Sequence, residues 1–176
     1  MDILVSSNLE RLLFHLSEGD SCKINDLFSR LSSDGEYTVS EEVLAKIQKV
    51  FAAGCCDDVL TKKTIGETFS EHNYLSDPHT AVAINVYNDY RKTSGDTTPT
   101  VIVSTASPYK FTPAVLEGVG ARIESDDEFD MMAALEAFSG VKAPVKLSEL
   151  KGASPRFTDV REKTEMQDAV FSMLGI

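Results

Sequence analysis

The feature that most restricts the fold is the run Thr100-Val101-Ile102-Val103, followed at once by Ser104-Thr105-Ala106-Ser107-Pro108. Four β-branched residues in a row, with no polar alternation, predict a short strand buried on both faces, as in a parallel sheet covered by helices. Proline after Ser107, and again after Thr112, predicts two successive helix starts, with Ser107 and Thr112 as N-caps and Pro108 and Pro113 as first helical residues. A buried strand ending in hydroxyls and feeding a helix N-terminus is the kind of place where open α/β sheets bind ligands. The alternative is that Thr105 and Ser107 do no more than cap the following turn.

A second strand of this kind is expected at 3–6, from Ile3-Leu4-Val5-Ser6. Ser7 and Glu10 have the spacing of a capping box, and Leu9, Leu12, Leu13 and Leu16 supply the stripe of the helix that follows. Asn8 and Arg11 then lie on its first turn, within reach of a ligand. The pattern from Ser21 to Phe69 is helical. Ile24, Leu27, Phe28 and Leu31 form one stripe. Val43, Leu44, Ile47, Val50 and Phe51 form another, closed by Gly54 in the C′ role, and Leu60, Ile65 and Phe69 follow an Asp57 or Asp58 cap. Asp77-Pro78 opens a further helix running to Gly95, with His79 a candidate base on its first turn. Beyond the Pro113 helix, a short extended piece is expected at 121–123. A capping box of Ser125 with Glu128 starts another helix, and a last one carries Met166, Val170, Met173 and Leu174. The methionines and phenylalanines recur at helical spacing and read as core.

Charge narrows the partners. The 176 residues carry a net charge of −11, which disfavours nucleic acid and anionic membrane surfaces. The N-terminus shows no export signal, and no apolar run is long enough to span a bilayer. Cys22, Cys55 and Cys56 lack metal-ligand spacing, and His15, His72 and His79 form no ligand pair, so a reduced cytoplasmic setting is expected and no metal.

Two strands are too few for a sheet buried on both faces. The expectation is an α/β, helix-rich piece of a larger sheet, with 1–20 and 70–176 associated with the sheet and 21–69 a helical insertion. Apolar surface awaiting the missing strands predicts self-association.

Three stretches, Asp2-Ile3-Leu4-Val5-Ser6-Ser7-Asn8-Leu9-Glu10-Arg11, Asp77-Pro78-His79-Thr80-Ala81-Val82-Ala83 and Ser104-Thr105-Ala106-Ser107-Pro108-Tyr109-Lys110-Phe111, together resemble threonine synthases of the microbial and fungal branch. The resemblance runs in order over essentially the whole chain and extends to its ending through Arg156-Phe157. It implies a fold-type II pyridoxal 5'-phosphate lyase that turns O-phospho-L-homoserine and water into L-threonine and phosphate, the cofactor acting as electron sink. Carried over residue by residue, it implies that Thr105 faces the pyridine nitrogen and that Asp77 and His79 lie near the ring. It further implies that Lys110 serves the substrate's phosphate or carboxylate, and that Asn8 and Arg11 serve either the phosphate pocket or domain packing. Those enzymes are much longer. Their Schiff-base lysine and Gly/Asn-rich phosphate loop precede the first motif, and neither Lys23, Lys62 nor Lys63 has the required context. The chain is therefore expected to be the C-terminal portion of such an enzyme, inactive alone. A non-catalytic α/β module that binds anions at the helix starts after Ser7 and Ser107, or an interaction module built on the 21–69 helices, is the alternative.

Overall fold

The computed structural model describes residues 5–176. Its regular elements are all helical, and they fall into two compact units, one of residues up to Cys55 with Val86–Thr98, the other of Cys56–Asn85 with Pro99–Ile176.

The first unit begins with α1 (Ser7–Leu16), α2 (Ser21–Asp34) and α3 (Glu41–Gln48). Each starts at a hydroxyl or carboxylate that accepts a backbone N–H of its first turn: Ser6 from Leu9, Asp20 from Lys23 and Ser40 from Val43. The α1 cap is thus Ser6 rather than Ser7. A single residue shifts the cap because Ser6, not Ser7, holds the extended backbone (φ −107°, ψ 107°) that aims its hydroxyl at the third amide onward. Leu13 and Ile24 are buried between these helices. Helix α3 stops at Gln48, so Val50 and Phe51 lie beyond it and are exposed. Gly54 is not its C′ residue. A Cβ there would sit 2.8 Å from Val86 Cγ1, so this glycine exists to let the chain pass close to a packed valine.

The second unit contains α4 (Asp58–His72), the first residues of α5 (Pro78–Ser94), a 3-10 turn at Pro108–Lys110, α6 (Thr112–Val119), α7 (Glu128–Ser139), the single turn α8 (Val145–Ser148) and α9 (Met166–Leu174). Its core joins Ile65, Leu75, Ala81, Tyr109, Val115, Leu116, Met131, Met132 and Leu135. Helices α4 and α6 approach at paired glycines: a Cβ on Gly66 would lie 2.4 Å from the Gly118 carbonyl oxygen, and one on Gly118 would lie 2.9 Å from that of Lys62. Backbone meets backbone there, which only glycine permits. Thr61 and Thr64, buried on the same helix, return their hydroxyls to the carbonyls of Asp57 and Leu60 at 2.7 and 2.8 Å, so neither leaves a polar group unpaired.

Several boundaries differ from those read in the sequence. Residues 3 and 4 of the expected first strand lie outside the described residues. Among the described residues, 100–104 pair in no strand ladder, and Val101 and Val103 are 86% and 68% exposed; a strand forms only against a neighbouring segment. Residues 121–123 are likewise irregular. Thr112 is the first residue of α6 rather than its cap; its hydroxyl turns back to the Tyr109 carbonyl (3.1 Å), and α6 starts without a side-chain cap. Asp127, not Ser125, caps α7, since a carboxylate one residue before the helix reaches the amides of both Phe129 and Asp130. The methionines divide: Met131 and Met132 are core, but Met166 and Met173 stand exposed on α9 with Val170 and Leu174, because α9 packs against little besides the turn before it.

Candidate functional site

In the second unit the structure brings together two of the three stretches singled out by sequence. Asp77 is fully buried and caps α5. Its Oδ1 accepts from the amides of His79 (2.9 Å) and Thr80 (3.3 Å), and its Oδ2 accepts from the Thr80 hydroxyl. Thr80 Oγ1 also lies 3.2 Å from Ser104 Oγ, tying the end of the 100–104 segment to the start of α5 across 24 residues of sequence. His79, half-buried, sets its ring edge-to-face against Phe111 with centroids 5.1 Å apart.

The turn that follows Ser104 is held from the other side as well. The Ser107 hydroxyl accepts from the Tyr109 amide at 3.3 Å, the capping expected of it. Tyr109 is buried, and its phenol donates to the Val141 carbonyl; burial pushes its ionisation above the ordinary tyrosine value. Between these anchors Ser104 and Thr105 remain exposed, as does Lys110. The surface they form is hydroxyl and ammonium, while the Asp77 carboxylate is buried and engaged.

Asn8 and Arg11 belong to the first unit, on the exposed first turn of α1, where the guanidinium donates to the Asn8 side-chain carbonyl. No lysine context suited to covalent chemistry emerges from the pairs the structure shows. Lys62 is ion-paired with Glu117, which raises its pKa and holds it as an ammonium, and Lys63 faces Glu67 at 3.5 Å. Among the described residues no three histidine, cysteine or acidic side chains gather as a metal site, and no helix is long and apolar enough to cross a membrane.

Sequence reasoning missed both bonds of the Thr80 hydroxyl. For the one to Asp77 a signal was available, since a hydroxyl three residues after a capping aspartate lies over the carboxylate; for the one to Ser104 there was none. It missed Ser76 too. That residue is fully buried, and its hydroxyl has no hydrogen-bond partner.

The model of the threonine synthase C-terminal region matches residues 80–170. The chain belongs to the threonine synthase family. It is 31% identical to the threonine synthase of Corynebacterium glutamicum over 85% of its own length and 30% of that protein's. Over 95% of its length it is 30% identical to human threonine synthase-like 1, covering 21% of it. The PLP-bound threonine synthase of Brucella melitensis superposes with a TM-score of 0.69 at 32% identity, over 97% of this chain and 32% of that one. The chain thus spans between about a fifth and a third of the length of these relatives.

Proposed function

We propose that this chain is the C-terminal part of a threonine synthase, the complete enzyme converting O-phospho-L-homoserine and water to L-threonine and phosphate with pyridoxal 5'-phosphate. The observation that carries the reading is the Thr80–Ser104 tether, which joins two motifs of the family and leaves Thr105 exposed beside it. The residues present suit such a cofactor. A pyridine nitrogen at this turn would meet a neutral hydroxyl, and the buried Asp77 carboxylate is already engaged by three donors, so it is not free to hold that nitrogen protonated.

When bound, the cofactor supplies an electron sink for charge that develops on the substrate carbon. The chain's own residues orient and bind. Thr105 would donate to the ring nitrogen. Asp77 acts from beneath by holding the start of α5 and Thr80, while His79 packs on Phe111 and stiffens the same turn. The exposed Lys110 ammonium, and Arg11 with Asn8 on their own unit, suit the phosphate or carboxylate of the substrate. Residues 100–104 add a strand to the sheet of a complete fold-type II α/β domain, which covers the exposed Val101 and Val103. The anion-binding alternative loses its footing at Ser107, where the helix start is a three-residue turn.

Reduction with borohydride in the presence of pyridoxal 5'-phosphate, followed by intact mass, tests this reading. The 176-residue chain alone should take no site-specific adduct and release no phosphate from O-phospho-L-homoserine. Supplying a polypeptide that covers the N-terminal part of a threonine synthase should place one adduct on that polypeptide and restore phosphate release. A specific lysine adduct on this chain, or turnover by it alone, would overturn the proposal.

A further inference from the structure

We propose that Thr80 is a positioning residue that sets the polarity of the exposed Ser104–Thr105 turn; the inference deepens the threonine synthase reading and rests on it for the identity of the ligand. The argument is one of proton count. A carboxylate accepts only, and a threonine hydroxyl has one proton to give. Asp77 is fully buried and Thr80 only 3% exposed, so neither can turn to water instead. With its proton on Asp77 Oδ2, Thr80 offers Ser104 nothing but lone pairs, and across 3.2 Å the donor has to be Ser104. The chain of hydroxyls therefore points one way, from the exposed serine inward to the buried carboxylate.

Two consequences reach the surface. The Ser104 hydroxyl is fixed with its proton turned away from solvent, so toward a ligand it is an acceptor. Donation to an acceptor such as a ring nitrogen then falls to Thr105, the next exposed hydroxyl. Removing the Thr80 hydroxyl leaves Ser104 free to rotate and to compete as a donor, and it releases the end of the 100–104 segment from α5.

The test compares Thr80→Val, Thr80→Ser and Ser104→Ala with the parent by NMR of the 176-residue chain, following side-chain shifts and order at Ser104 and Thr105. Thr80→Val should shift and broaden the Thr105 signals, and Thr80→Ser, which keeps the hydroxyl, should restore them. Ser104→Ala leaves the Asp77–Thr80 pair intact, so it should loosen Thr105 while α5 signals stay unchanged; it decides the matter alone if Thr80→Val does not fold. Thr105 signals that match the parent in both Thr80→Val and Ser104→Ala would overturn the proposal. In the reconstituted enzyme Thr80→Val should weaken pyridoxal 5'-phosphate binding about tenfold, the worth of one hydrogen bond, with recovery in Thr80→Ser. The NMR arm contains no cofactor, so its failure is separate from failure of the adduct experiment, which tests the threonine synthase reading itself.

Discussion

Substituting Gly66 with alanine sets two known effects against each other, and the geometry decides the sign. Alanine in a helix interior is favoured over glycine by about 1 kcal/mol. Here its Cβ would stand 2.4 Å from the Gly118 carbonyl oxygen, where ordinary contact begins at 3.4 Å, so α4 and α6 would have to part by about 1 Å. That oxygen is backbone and cannot swing aside. Ile65, Val115 and Leu116, all buried to within 1% at this contact, would lose close packing; a gap of about that size forfeits a quarter to a half of each pairwise attraction. Overpacking of this kind costs about 3 kcal/mol, which leaves roughly 2 kcal/mol of net destabilisation after the helix propensity is returned.

Thermal unfolding followed by circular dichroism should show the transition of this unit falling by about 8–16 °C, at about 4–8 °C per kcal/mol for a unit of this size. Ser70→Ala, at an exposed position of the same helix, controls for propensity and should not lower it. Gly118→Ala should act in the same direction, since its Cβ would meet the Lys62 carbonyl at 2.9 Å and Ile65 Cβ at 3.0 Å. Because both changes push the same two helices apart, the double variant should lose less than the sum. An alanine at Gly66 that leaves the transition unchanged or raises it would refute the reasoning, for the close approach would then not exist.

Ser76→Ala should be neutral or stabilise by about 1 kcal/mol, because it removes a buried hydroxyl that has no partner; a loss above that in urea unfolding would mean the hydroxyl is bonded. For Tyr109 the folded state favours the neutral phenol, so the stabilisation is complete below the ordinary tyrosine value of about 10 and is lost as pH rises above that and through the higher folded-state value. Absorbance at 295 nm should show two tyrosines titrating late, Tyr37 and Tyr109, both raised by burial, and only one of them in Tyr109→Phe. The apolar surface left open by Val101, Val103, Met166, Met173 and Leu174 should drive self-association, read as a mass by light scattering that grows with concentration; a monomer throughout would count against it.

Local chemistry was legible in the sequence wherever it acts within a few residues. Asp77-Pro78, Ser107-Pro108, Gly95 and Gly175 announced helix ends that the structure shows, since a cap or a left-handed glycine needs only its own turn. Choosing between neighbouring candidates was harder: Ser6 against Ser7, and Asp127 against Ser125, differ only in which residue takes the extended backbone, and no residue type declares that. Strand character goes unexpressed among the described residues for a different reason. The β-branched run at 100–103 marks a preference that becomes a strand only through a ladder to another segment, and among the described residues no such ladder forms there.

The candidate site shows the same division. Asp77, Thr105 and Lys110 stood out because each belongs to a short stretch with its own signature. The bond that unites the stretches, from Thr80 to Ser104, spans a whole helix and the segment after it, and a pattern read along the chain contains no term for it. Glycine hides distance in the same way. Gly66 and Gly118 look like ordinary weak points of two helices, 52 positions apart, yet each is there because the other helix comes so close, the Gly118 carbonyl at Gly66 and the Lys62 carbonyl at Gly118. What the sequence encodes without displaying is therefore the set of close approaches. In this chain those approaches fix both how tightly α4 packs on α6 and which hydroxyl at the turn keeps a proton to give.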